Sequence, residues 1–175
     1  MANLTHQTLA QMLGRPATVF TSPKLTVALV APVYQAYLSG SPDEKALGMA
    51  LPHEPNHMTG ETTRALWIAP DRWLIVADMP LSLSTIDGAF VSDITDGLAV
   101  FDLSGPAARQ LLAMGCSLDV EGDALAPGRC ARTLFAGVDV ILYSLGSHDR
   151  FRIHVERSMA SYLCDWLEKA ATGIA

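Results

Sequence analysis

The alternation of apolar and polar positions divides this chain into short strands and a few amphipathic helices. Residues 91–119, VSDITDGLAVFDLSGPAARQLLAMGCSLD, carry the fullest local instruction. Asp96-Gly97 lies between two apolar-rich runs and predicts a two-residue hairpin, because a type I′ turn needs positive φ at both central positions. Leu98, Val100, Phe101 and Leu103 supply the next strand. Ser104-Gly105-Pro106 then stops that strand and starts an amphipathic helix. Ser104 is assigned a capping role. Pro106 suits the first helical position, where its missing N–H would be unpaired anyway.

Upstream, residues 5–13 predict a short helix ended by Gly14 and Pro16, and residues 24–30 a strand. Residues 31–41 fit neither template, and 47–51 read as a short strand. Residues 53–60, rich in Pro, Asn, His and Gly, read as loop. Residues 63–69 and 72–77 predict a hairpin about Pro70-Asp71, and 80–87 a short helix. Downstream, 118–127 read as loop. Residues 130–135 and 138–145 predict a second hairpin about Ala136-Gly137, and 150–155 a strand after a turn at 146–149. The last element is a helix capped by Ser158, with Met159, Tyr162, Leu163, Trp166, Leu167 and Ala170 on one stripe and Gly173 just past its end. The order predicts an α+β fold: a mostly antiparallel sheet with helices packed on one face. Residues 1–175 are expected to form a single domain, with 1–20 as a peripheral arm.

Composition adds a constraint on the exterior. Half of the residues are hydrophobic and 17% are charged. So apolar a chain has ample material for a core and predicts that part of its surface is covered by a partner. The net charge of −6 argues against a nucleic-acid partner, since phosphate-backbone affinity rests on clustered Lys and Arg. Cys116, Cys130 and Cys164 are an odd, widely spaced set without C-x-x-C, which argues against a disulfide framework or zinc ribbon. The first twenty residues have no apolar central region of a signal peptide, and no apolar run approaches the ~18–20 residues of a membrane span. The expectation is a soluble, cytoplasmic chain with no membrane partner.

Each candidate for chemistry has a stronger structural reading. His53 and His57 are four apart beside Glu54, a zinc-binding spacing on a helix, but Pro52 and Pro55 rule the helix out. Ser104 lacks the G-x-S-x-G context of a nucleophile elbow. Cys130 starts a strongly apolar run and reads as a buried structural thiol. His154, between Ile153 and Val155, reads as a satisfied sheet histidine. Asp93, Asp96 and Asp102 read as turn and strand-edge residues, and no G-x-G-x-x-G or G-x-x-x-x-G-K phosphate cradle occurs. No catalytic, cofactor-binding or metal-ligating residue is assigned. Trp67, Arg72, Trp73, Arg129 and Arg132 are the expected interface residues, because aromatic and Arg side chains are enriched at interface centres.

Four segments carry a resemblance: 66–76 (LWIAPDRWLIV), 100–119 (VFDLSGPAARQLLAMGCSLD), 127–134 (PGRCARTL) and 151–167 (FRIHVERSMASYLCDWL). In this order they resemble the gamma subunits of heterotetrameric sarcosine oxidases over about residues 20–170. The family's apolar-Gly-Pro-Asp-Glu-Trp-Leu block appears with Ala69 in place of the Gly and Arg72 in place of the Glu. The resemblance implies a fold similar to the folate-binding domain of aminomethyltransferase-like proteins. It implies alpha, beta and delta subunits as partners. FAD, FMN, NAD, zinc and tetrahydrofolate are then held by those other subunits and not by this chain. The implied reaction of the complex is oxidative demethylation of sarcosine to glycine, giving formaldehyde, or methylene-tetrahydrofolate when folate is present, and hydrogen peroxide. Related subunits occur in N-methylglutamate dehydrogenase, which this sequence separates poorly from sarcosine oxidase. A stand-alone folate-binding protein is the alternative from another class. It would carry a Lys-Gly-Cys-Tyr-x-Gly-Gln-type motif, whereas Cys130 sits in Gly128-Arg129-Cys130-Ala131-Arg132. Independent aminomethyltransferases are about twice this length.

Overall fold

In the computed structural model the strands sort into two antiparallel sheets rather than one. The structure describes residues 9–30, 34–79, 81, 83, 86–147 and 149–174. The first sheet has six strands, β1 (Thr18–Thr21), β2 (Thr26–Leu29), β8 (Leu98–Ser104), β9 (Cys130–Phe135), β10 (Val138–Ser144) and β11 (Arg150–Glu156), in the order β1-β2-β8-β11-β10-β9. The second has five, β3 (Tyr34–Gly40), β4 (Met58–Thr59), β5 (Thr63–Ala69), β6 (Arg72–Ala77) and β7 (Ala89–Asp93), in the order β4-β5-β6-β3-β7. Helices α1 (Leu9–Leu13), α2 (Glu44–Leu47), α3 (Ala108–Gly115) and α4 (Ala160–Thr172) complete the described elements.

Three layers follow from which faces are apolar. Leu111, Leu112, Leu163 and Leu167 of α3 and α4 pack against Phe101, Leu142, Phe151 and Ile153 on one face of the first sheet. On its other face, Leu98, Cys130, Ile141 and Tyr143 meet Leu66, Leu74 and Val76 of the second sheet. The outer face of the second sheet buries Leu38, Ala65, Trp73 and Ile75 under Leu51. Each fully buried Leu, Ile or Phe contributes roughly 1.5–3 kcal/mol, so the helix-covered face, with the most such residues, anchors the chain. The continuous apolar run of β8 reflects burial on both faces.

Two of the three predicted hairpins form, with Asp71 at φ 54° and Ala136-Gly137 at φ 52° and 83°. The Asp96-Gly97 hairpin does not. β7 pairs with β3 in the second sheet, and β8 pairs with β2 and β11 in the first. The chain therefore crosses between layers here, through a turn in which the Gly97 N–H donates to the Ile94 carbonyl at 2.8 Å. β7 spends its apolar face on the second sheet, where Ala89 and Val91 pack on the outer core, while Phe90 on the opposite face is 83% exposed.

Other boundaries differ for local reasons. Pro106 precedes the helix, which starts at Ala108. Ser104 is the last residue of β8, paired with Arg150 and Thr26, and does not cap α3. Ser158 lies in a 3-10 turn before α4 and does not cap it either. Met159 and Tyr162 are exposed, and the buried stripe of α4 runs through Ala160, Leu163, Cys164, Leu167, Ala170 and Ala171. Residues 47–51 form no strand; Asp43 caps α2, and Gly48 ends it with left-handed φ 69°. The ambiguous stretch 31–41 contains β3, a central strand. Residues 80, 82, 84 and 85 of the 80–87 helix prediction lie outside the described residues. Within 1–20, Leu9, Leu13, Val19 and Phe20 pack on the core, and Arg15 ion-pairs with Asp165 and Glu168 of α4. No helix among the described residues is long and apolar enough to cross a membrane.

Candidate functional site

The most polar part of the interior lies between the two sheets. β11 alternates so that Phe151, Ile153 and Val155 join the helix-side core, which sends Arg152 and His154 toward the second sheet. The Gln35 Nε2 amide donates to the Thr95 and Leu98 carbonyls, each at 3.2 Å. Both partners are acceptors only, so Gln35 Oε1 is left facing His154 and accepts from its Nδ1–H at 2.5 Å. His154 Nε2 is then the bare nitrogen and accepts from the Tyr143 hydroxyl at 3.3 Å. Burial pushes the His154 pKa down to about 3, aided by the charge of Arg152, so the imidazole is neutral at pH 7.

One row along the sheet, Arg152 lies opposite Asp102 and Tyr143. It donates through Nε to Asp102 Oδ1 at 2.6 Å and through Nη2 to Oδ2 at 2.9 Å. Burial opposes its charge, but the hydrogen bonds and charge of Asp102 outweigh burial and hold the guanidinium pKa above its usual value. The Tyr143 phenol is pushed up to about 12 by burial, partly offset by Arg152 and Arg64. Asp102 serves two of the three guanidinium nitrogens; Arg152 Nη1 is buried without a hydrogen bond and lies 4.0 Å from Asp78 Oδ1. Of these contacts, the Gln35–His154 bond links one sheet to the other.

Cys130 is fully buried, with its thiol 3.2 Å from the His57 carbonyl and 3.4 Å from that of Trp67. Burial raises its pKa to about 12, the reverse of what a nucleophilic thiolate needs. His53 and His57 point to separate carboxylates, Glu44 at 2.7 Å and Glu54 at 3.3 Å. Asp93 accepts from the Thr95 N–H and hydroxyl, and Asp96 pairs with Arg157. Among the described residues no group of His, Cys, Asp and Glu is arranged to hold a metal ion.

The five expected interface residues fall in three places. Trp73 is only 3% exposed, and its indole N–H donates to the Pro52 carbonyl at 2.8 Å; this ring is spent on the chain's own core. Trp67, opposite it across the hairpin, is half-buried. Arg129 reaches His57, with Nη1 3.4 Å from Nδ1. Arg72 and Arg132 are both exposed and line one cavity at the mouth of the gap between the sheets, with Tyr37 and Ser39 of β3. Tyr37 escaped the sequence reading because it lies in the stretch that fitted no template.

The residues thus define a two-sheet α+β domain with a buried polar cluster between the sheets and two exposed arginines at the rim of the gap. Among solved structures, a chain of the heterotetrameric sarcosine oxidase from Corynebacterium sp. U-96 in complex with pyrrole 2-carboxylate superimposes with a TM-score of 0.82 at 24% identity, over 96% of this chain and 95% of that one. The glycine cleavage system aminomethyltransferase T from Bartonella henselae gives 0.56 at 14% identity, over 84% of this chain and 46% of that one. Both are likenesses of fold. The chain belongs to the sarcosine oxidase, gamma subunit family, whose model matches residues 28–173. The sarcosine oxidase subunit gamma of Corynebacterium sp. (strain U-96) is 30% identical over 131 residues, 70% of this chain and 63% of that protein. That of Arthrobacter sp is 28% identical over 140 residues, 74% of this chain and 68% of that protein. The first of these matches thus spans less than two thirds of the relative's length.

Proposed function

We propose that this chain is the non-catalytic gamma subunit of a heterotetrameric, flavin-dependent sarcosine oxidase. Its partners are the alpha, beta and delta subunits, which hold FAD, FMN, NAD, zinc and the tetrahydrofolate site. The complex demethylates sarcosine to glycine, with formaldehyde or methylene-tetrahydrofolate and hydrogen peroxide as the other products. The observation that carries the reading is the family match across residues 28–173. The burial of His154, Cys130, Tyr143 and Arg152 is consistent with a role in assembly. Trp67, Arg72, Arg129 and Arg132 are the side chains assigned to subunit contacts, in a cytoplasmic complex.

The test is co-expression with the large flavin- and dinucleotide-binding subunits of a sarcosine oxidase, followed by purification through a tag on this chain. The expected result is a stoichiometric complex that consumes oxygen with sarcosine, while the chain alone neither turns over sarcosine nor retains flavin. Preference for N-methylglutamate over sarcosine would move the assignment to that dehydrogenase. Tight tetrahydrofolate binding by the chain alone would move it to the stand-alone folate-binding class.

A further inference from the structure

The cavity at the mouth of the inter-sheet gap brings unmatched charge, donor groups and space together. It holds about 280 Å3, lined by Tyr37, Ser39, Ile68, Arg72, Arg132 and Ile141 among others. Strand register explains how it is built. Arg72 lies opposite Ser39 across β6 and β3, and Arg132 lies opposite Ile141 across β9 and β10. One guanidinium therefore comes from each sheet, and neither makes a hydrogen bond or ion pair with any described residue. On a chain of net charge −6, two such cations at one opening stand out. Ile68 and Ile141 supply the apolar part of the lining.

The volume is several times the ~30 Å3 share of one water and at the lower limit of the ~300–1,000 Å3 of cofactor and drug pockets. It suits one side chain better than a cofactor. Guanidinium forks match carboxylates in geometry and charge, and the Tyr37 and Ser39 hydroxyls add donors. Burial and the charge of Glu156 raise the Tyr37 pKa, while Arg132 lowers it, so Tyr37 remains a protonated donor at neutral pH. Glu156 is this chain's own carboxylate facing the phenol, and it forms no ion pair with either arginine.

We propose that this cavity is a socket for one Asp or Glu side chain of a neighbouring subunit, clamped between Arg72 on one sheet and Arg132 on the other. The proposal rests on the subunit reading above and supplies a contact for it. An acidic side chain entering the socket neutralises both cations and covers the Ile68 and Ile141 walls, so the site closes only in the assembly.

The experiment reconstitutes the full complex with wild-type chain, with R72E/R132E and with R72K/R132K, and measures assembly by analytical ultracentrifugation over a range of salt. Wild-type assembly with a loss of at least about 30-fold in affinity for R72E/R132E is expected, on the scale of a broken desolvated charge pair. R72K/R132K keeps the charge and retains most of the affinity. Treated with a zero-length carbodiimide, that variant also gives an isopeptide cross-link from position 72 or 132 to an Asp or Glu of another subunit, located by mass spectrometry. Circular dichroism melts of each free variant check folding. If wild type assembles, R72E/R132E assembles equally well and no such cross-link forms, the socket is wrong while the subunit reading survives. If wild type itself does not assemble with the oxidase subunits, the subunit reading fails and takes the socket with it.

Discussion

Gln35 of β3 and His154 of β11 belong to different sheets and to opposite halves of the sequence, yet they share a hydrogen bond of 2.5 Å between Oε1 and Nδ1. The bond places the ring proton on Nδ1, so the neutral imidazole has Nε2 bare to accept from Tyr143, and a second proton would remove that acceptor. Gln35 is held from behind by the Thr95 and Leu98 carbonyls, so it cannot turn to present a different atom. The link therefore fixes the tautomer of His154 and the spacing of the two layers together.

Acid should destabilise the fold through the buried His154 in a defined window. Folded His154 has its pKa lowered to about 3 by burial, against ~6.5 in an unfolded chain. Between those values the unfolded state binds the extra proton and the folded state does not, so stability is full above pH ~6.5 and declines as pH falls toward 3. From pH 7 to pH 5 the loss is about 2 kcal/mol from this group. His154→Gln, which cannot titrate, should be less stable at pH 7 and should show a flatter profile between pH 7 and pH 5 in urea denaturation. An unchanged slope in that variant would refute the assignment.

The neighbouring ion pair should behave as a buried pair, not a surface one. Arg152 has 9% of its side chain exposed and Asp102 has 25%. Asp102→Ala leaves a guanidinium without its two charge-assisted bonds and is expected to cost roughly 3–5 kcal/mol. Replacing both, Asp102→Leu with Arg152→Met, removes the stranded charge and should be milder than Asp102→Ala alone. Chemical denaturation of the three chains checks the order. If the double replacement is the least stable, the pair is more than a satisfied charge.

Local turn chemistry carried much of the fold. Pro70-Asp71 and Ala136-Gly137 named their hairpins because the signal and the structure both live within a few residues. Asp96-Gly97 failed for the opposite reason: a turn dipeptide does not say which sheet each flanking strand joins, and β3 and β11 claimed one each. Helix α2 was invisible to periodicity at four residues, although Asp43 and Gly48 mark both of its ends. The buried state of Cys130 and His154 was legible because each sits in an apolar strand. Their partners were not: Gln35 meets His154, and the Trp67 carbonyl meets Cys130, only through stacking of the sheets, and Tyr143 meets His154 through the β10–β11 register. Arg72 and Arg132 were singled out by residue type alone; that they line one cavity follows from register and layer geometry.

The joint between β8 and α3 tolerates no side chain. Gly105 has φ 114°, and a Cβ there would sit 2.4 Å from the Lys24 carbonyl oxygen. That same carbonyl accepts from the Ala107 N–H at 3.1 Å, so it cannot move without loosening the start of α3. Gly105→Ala should cost more than the ~1–3 kcal/mol of an unfavourable φ alone and lower the melting temperature by several degrees. Gly137→Ala is the control: its φ of 83° is also left-handed, but nothing lies within 4 Å of a built Cβ. Calorimetry should therefore find the first variant the less stable of the two.

Thiol reactivity should follow burial. Cys130 is closed off between the His57 and Trp67 carbonyls, and a pKa near 12 leaves about one thiolate in ten thousand at pH 8. Cys116 is half-buried, with its sulfur 3.4 Å from the Leu112 carbonyl, and its pKa is raised less strongly, also by burial. Alkylation of the native chain at pH 8, followed by peptide mapping, should mark Cys116 first and leave Cys130 unmodified until guanidinium unfolds the protein. The two effects on Cys130 can be separated by repeating the reaction at rising pH. If ionisation alone limits it, the rate climbs tenfold per unit; if the closed gap between the sheets limits it, the rate stays at that of unfolding. The second result is expected, because a reagent reaches the sulfur only by parting the strands that bury it, and stoichiometric labelling under native conditions would contradict the packing of the two layers.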